Sequence, residues 1–244
     1  MIHQKNIWQL LFVAVTFLNL YAETIQHIPL IYFSKPLLMV CLGLHFYVNQ
    51  TKSTPYGQLI LVGLFFSFLG DVFLMFRETG DKASVLFLLG LGSFLITQFL
   101  YFFAFTRLTR GSGFIRKNWW IGLLFLGFLV GSSIFLLPDL PVAFKLPVLV
   151  YSTVITLMVV SCINLYHLIP TTIFRFLLFG VLLFMCSDTL IGLNQFKKEV
   201  IQIPFPRIAI MSTYILAQWL IVRGSMDLLG QKKDLLDNCL LSNS

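Results

Sequence analysis

Eight apolar stretches of about 20 residues follow one another along the chain, at 7–23, 30–48, 56–76, 84–106, 119–137, 144–164, 173–193 and 206–226. Each is long enough for one helical crossing of a bilayer, and only short polar loops separate them. Hydrophobic residues make up 58% of the sequence and charged residues 11%, against roughly 25% charged in soluble domains. Such a chain needs lipid as its solvent. The expected fold is therefore an all-α integral membrane protein of eight transmembrane helices. The 26 phenylalanines fit a lipid-facing surface. The spans use nearly the whole length, so residues 1–229 read as one membrane domain and 230–244 as a polar C-terminal tail.

The apolar run of the first stretch, Ile7 to Ala22, follows His3 and Lys5, as the apolar part of a signal peptide would. No small-residue cleavage site comes after it, since the next residues are Glu23, Thr24 and Ile25, so it reads as a retained span. Cys41, Cys162, Cys186 and Cys239 show no paired spacing, which gives neither a disulfide frame nor a zinc site. His3, His27, His45 and His167 are scattered near span ends. No Gly-rich phosphate loop or metal-ligand cluster is present, and no metal or cofactor is expected. The net charge of +7 resembles that of a nucleic-acid binder until its placement is read. The basic residues stand in loops, where they set topology. Ten of them (Lys5, Lys52, Arg107, Arg110, Arg116, Lys117, Arg175, Arg223, Lys232, Lys233) fall on the side that holds both termini. Six fall on the other: Arg77, Lys82, Lys145, Lys197, Lys198 and Arg207. The positive-inside rule then places both termini in the cytoplasm of a multi-pass protein, with the cell membrane as its expected location.

Two carboxylates interrupt the apolar runs: Asp71, within Phe66-Ser67-Phe68-Leu69-Gly70-Asp71, and Asp188, within Met185-Cys186-Ser187-Asp188. An ionisable group inside a span costs about 2.5–3.5 kcal/mol on insertion scales, which marks it as a functional candidate. Superposing the two reveals an internal repeat. Lys35-Pro36 on the second span matches Lys145-Leu146-Pro147 on the sixth, and Gln98 on the fourth matches Gln218 on the eighth. The Asp-to-Gln intervals are 27 and 30 residues. Four spans per repeat would give two halves of like orientation, a parallel 4+4 arrangement.

Depth along each helix groups these residues further. Asp71 lies 15 residues beyond Tyr56, and Asp188 lies 15 beyond Ile173. At about 1.5 Å per residue both sit roughly 22 Å into a layer about 30 Å thick. Lys35, Tyr151, Tyr214, Gln98 and Gln218 enter from the nearer face and reach that level or deeper. Ser187 and Asn194 complete the candidate substrate-binding set, with Asp71 and Asp188 as candidate catalytic residues. A buried carboxyl kept neutral near pH 7 can act as a general acid. A second one, left ionised near a cation such as Lys35, can steady developing positive charge, which suits an oxocarbenium-like state. Three other readings stay open on these residues alone. The aspartates could pair with Lys35 and hold the bundle together, relay ions through a transporter, or line a lipid-binding site that performs no chemistry.

Lys35-Pro36-Leu37-Leu38-Met39, Phe68-Leu69-Gly70-Asp71-Val72-Phe73-Leu74-Met75, Phe184-Met185-Cys186-Ser187-Asp188 and Tyr214-Ile215-Leu216-Ala217-Gln218 together resemble the YhhN-like family of membrane proteins, which includes the animal lysoplasmalogenases. The resemblance runs over nearly the whole chain, in order and on the expected spans. It implies an eight-span bundle that hydrolyses the vinyl ether bond of lysoplasmalogens to a fatty aldehyde and a glycerophospho-alcohol. It also implies that the paired aspartates are catalytic. The family often has a histidine in the fourth span where this chain has Gln98, which argues against proton transfer at that position. The expected partner is a single-chain phospholipid entering from the membrane, its phosphate near Lys35. Head group, chain length, oligomeric state and the division of labour between the aspartates are left open.

Overall fold

The computed structural model describes residues 2–50, 53–76, 83–109 and 114–241, with side chains at 7–50, 53–76, 84–109, 114, 115 and 118–231. The described chain is helical, without a strand. Its helices are α1 (Ile2–Thr24), α2 (Ile28–Asn49), α3 (Pro55–Met75), α4 (Ala83–Thr109), α5 (Phe114–Lys117), α6 (Trp120–Leu136), α7 (Val142–Ile163), α8 (Thr171–Phe196) and α9 (Pro206–Leu241). All but the short α5 are long and apolar enough to cross a membrane, α6 with the 3-10 turn that extends it from Leu137 to Asp139. The expected spans therefore appear in order, each within a few residues. The backbone of α9 continues as helix through the polar segment after Gly230. Of the loop charges used to assign topology, the side chains of Lys5, Lys52, Arg77, Lys82, Arg110, Arg116, Lys117, Lys232 and Lys233 lie outside the described residues, as does that of Cys239.

Local chemistry starts these helices where the apolar runs begin. Thr54 caps α3 by accepting from the Gly57 amide at 3.0 Å, and Pro55 follows at a position whose N–H would have no partner anyway. His27 caps α2 through its ring, which accepts from the Leu30 amide at 3.3 Å. α7 and α8 follow Pro141 and Pro170, and α9 begins on Pro206. Pro36 and Pro147 both lie inside helices, on α2 and α7.

Two tight pairs, α3 with α4 and α8 with α9, dominate the interior, and α7 packs on α4. Small residues allow the close approach. A Cβ at Gly180 on α8 would stand 2.7 Å from Ile221 Cγ1 and 3.1 Å from the Ala217 carbonyl oxygen of α9. Without hydrophobic drive between helices in lipid, such close packing is a main source of association. A ring cluster fills the centre, with Tyr214 stacked edge-on against Phe94 at 5.7 Å and Phe184 at 6.0 Å. The outer surface is apolar, with Phe17 70% and Phe33 62% exposed. α6 stands apart, because none of its residues is buried.

This packing predicts a contrast between two glycines. Gly180→Ala should destabilise the protein by about 1–3 kcal/mol through overpacking. Gly127→Ala on α6, where a Cβ meets nothing within 4 Å, should be neutral or stabilising by up to about 1 kcal/mol. Unfolding in detergent measures both, and equal effects would contradict the packing described.

Candidate active site

Asp71 and Asp188 reach the interior from opposite tight pairs. Gly70 lets α4 come close beside Asp71, since a Cβ there would meet the Phe94 ring at 2.7 Å. Asp71 is 2% exposed, and its Oδ2 accepts from the Tyr214 hydroxyl of α9 at 2.8 Å. On α8, Asp188 Oδ2 accepts two hydrogen bonds, from the Tyr151 hydroxyl of α7 at 2.5 Å and from Gln98 Nε2 of α4 at 2.8 Å. Each carboxylate is thus held by a group from the other half of the chain. Gln98 keeps its Oε1 buried without a partner.

A second tier of hydrogen bonds braces these contacts. Gln218 donates to Ser67 Oγ at 2.8 Å and accepts from the Tyr101 hydroxyl at 2.9 Å. Ser67 donates to Thr97 Oγ1 at 3.2 Å, which in turn donates to the Gly63 carbonyl at 3.0 Å. Ser187 donates to the Ile210 carbonyl at 3.1 Å, tying α8 to α9. Gln218 and Ser187 are fully buried with these polar groups engaged.

Two cavities lie near the carboxylates; Asp188 lines one of them, and Asp71 lines neither. A polar one of about 600 Å³ is lined by Glu23, Lys35, Asn194, Lys198 and Arg207 among others. It collects the end of α1, the start of α2, the end of α8 and the start of α9, which is the end of the bundle opposite the chain termini. A narrow apolar cleft of about 80 Å³ contains Tyr151 and Asp188 among rings that include Phe87, Phe94 and Phe128. Leu74 and Ile191 line both cavities. These two residues stand one helical turn beyond Asp71 and Asp188 respectively. The Lys35 ammonium and the Glu23 carboxylate act electrostatically on Asp71, and Asp71 acts on Asp188. Among the described residues, no three His, Cys, Asp or Glu side chains converge as a metal ion would require.

The candidate residues thus divide by location. Tyr151, Gln98 and Tyr214 touch the carboxylates, Lys35 and Asn194 line the polar cavity, and Gln218 and Ser187 brace the helices behind. Sequence reasoning missed Glu23, Arg207 and Tyr101. Tyr101 had a signal, since it lies three residues after Gln98 on the same helical face. Glu23 looked like the polar end of a span. It is in fact buried, 3.6 Å from Arg207.

Known proteins resemble the chain over most of its length. The chain is 32% identical over 195 residues to the lysoplasmalogenase TMEM86A of Bos taurus, an alignment covering 78% of this chain and 73% of that protein. No solved structure matches it. The model of the YhhN family matches residues 30–225, from early α2 into α9. With a match over most of its length, the chain belongs to the YhhN family.

Proposed function

We propose that the protein hydrolyses the vinyl ether bond of a lysoplasmalogen, releasing a fatty aldehyde and a glycerophospho-alcohol. One observation carries the proposal: a polar cavity and an apolar cleft share Leu74 and Ile191 as walls, one turn from the buried Asp71 and the partly buried Asp188. A single-chain ether phospholipid has the matching shape. Its phosphate fits beside Lys35 and the first carbons of its chain enter the narrow cleft, which brings the vinyl ether to the junction. The relative from Bos taurus, named a lysoplasmalogenase, supports the same substrate class. α6 contributes Phe128 and Leu136 to the outer wall of the cleft, and none of its residues is buried. This loosely held helix gives the lipid chain a lateral way in. With both termini in the cytoplasm, the polar cavity opens toward the outer face of the membrane.

Two carboxyls within each other's field hold one proton and one charge more readily than two charges. The protonated member donates to the vinyl carbon distal to the ether oxygen, leaving an oxocarbenium ion. The ionised member steadies that cation and directs water to the carbon bearing oxygen, taking a proton as the new C–O bond forms. The hemiacetal then collapses. Its carbon–oxygen bond to glycerol breaks, the glycerol oxygen takes a proton, and the aldehyde leaves. Tyr214 and Tyr151 position the two carboxyls throughout.

The mechanism predicts that Asp71→Asn and Asp188→Asn each lower aldehyde release by at least about 10²-fold, the usual scale of acid–base catalysis. Asparagine keeps the size and an acceptor, so melting in detergent should move little. If the aspartates serve only to hold the bundle, melting and activity will fall together, and retained hydrolysis in both variants would refute the mechanism. Lys35→Met should raise KM for the charged lipid while kcat changes less, as expected for a group that binds phosphate rather than reacting. An unchanged KM would leave the lysine as a group that merely reaches the membrane interface.

A further inference from the structure

The polar cavity presents an acidic wall as well as cations. Glu23, near the end of α1, is 6% exposed and lines the cavity. Its Oε2 is buried and accepts no hydrogen bond among the described residues, and the Arg207 guanidinium at 3.6 Å stands beyond hydrogen-bonding reach. One turn earlier on the same helix face, Asn19 donates to Ser34 Oγ at 2.9 Å but leaves its own Oδ1 buried without a donor. Buried acceptors without donors are uncommon, because each forfeits its hydration and gains nothing in return. On the cation side, no carboxylate among the described residues forms an ion pair with Lys35. Lys198 is exposed on the same cavity.

From these groups we infer that the cavity reads a zwitterionic head group, and that Glu23 selects a primary ammonium over a quaternary one. The inference rests on the lipid-hydrolase reading above. Lys35 and Lys198 take the phosphate, and Glu23 takes the ammonium. A primary ammonium offers N–H donors to Glu23 Oε2, which accepts no hydrogen bond among the described residues, whereas a trimethylammonium offers none. Quaternary ammonium groups are recognised instead by aromatic cages. The aromatic residues on this cavity are Tyr32 and Phe205, and Phe205 is 76% exposed, so they do not enclose such a cation. Glu23 lies before the segment that matches the family, so this selectivity comes from the first helix of this chain.

Binding tests the inference independently of turnover. The probes are saturated 1-O-alkyl lysophospholipids carrying ethanolamine, N-methylethanolamine, N,N-dimethylethanolamine or choline, titrated into the full-length protein in detergent. Their saturated ether has no vinyl carbon to protonate. Affinity should fall along the series by at least about tenfold, the loss of a charge-assisted hydrogen bond, most steeply at choline. Glu23→Gln should flatten the series by weakening the ethanolamine lipid alone. Arg207→Gln, which removes a competing cation, should steepen it and provides a second reading if the first variant does not fold. Equal affinity across the series in the unaltered protein would overturn the inference, as would a gradient that Glu23→Gln leaves intact. A gradient in a protein that releases no aldehyde from lysoplasmalogen would sustain the inference and sink the hydrolase reading. Aldehyde release with a flat series would do the reverse.

Discussion

Two carboxyl groups are held inside a bundle whose natural surroundings are hydrocarbon, and the interior is arranged around them. Inserting each costs about 2.5–3.5 kcal/mol. The hydrogen bonds that receive them come from Tyr214 on one side and from Tyr151 and Gln98 on the other. An interhelical hydrogen bond in a membrane returns about 0.6 kcal/mol on average. Three such bonds return about 2 kcal/mol, well short of what two insertions cost. Structural bonding alone therefore does not justify placing the aspartates there, whereas the proposed acid–base chemistry would give them a use.

Helix packing supplies the stability that the polar groups do not. Gly70 and Gly180 admit a facing helix within each tight pair, and rings from Phe94, Phe184 and Tyr214 close the centre. The pairs then exchange side chains across the middle. Gln98 from α4 reaches Asp188 on α8, while Gln218 and Tyr214 from α9 reach Ser67 and Asp71 on α3. The exchange runs in both directions between the pairs, but the partners differ: Gln98 meets a carboxylate, whereas Gln218 meets Ser67. α1 packs closely along α2, while α6 touches α7 lightly and buries none of its residues. The difference suits the proposed entry of lipid beside α6.

Much of this was legible in the sequence because it depends on length and composition. Eight apolar runs give eight helices in lipid, and an aspartate within such a run is conspicuous. Depth along a helix follows from rise alone, which is why Lys35, Tyr151 and Tyr214 could be grouped with Asp71 and Asp188. Rise says nothing about rotation around each helix axis or about which helix is its neighbour. For that reason Ser187 and Gln218 were placed with the substrate contacts, although Ser187 is bonded to a backbone carbonyl and Gln218 to Tyr101 and Ser67. Glu23 escaped notice for a related reason. At the end of an apolar run a glutamate reads as solvated, whereas here it is buried beside Arg207 at the start of α9.

Isotopic labelling tests directly whether the proposed reaction hands a proton to carbon. The purified protein is given lysoplasmalogen in deuterated water, and the released aldehyde is reduced at once to its alcohol for mass spectrometry. Protonation of the vinyl carbon places one solvent deuterium on the carbon next to the former carbonyl. An alcohol with a single deuterium at that position is the predicted result. Aldehyde released without it, or no aldehyde at all, would contradict the account.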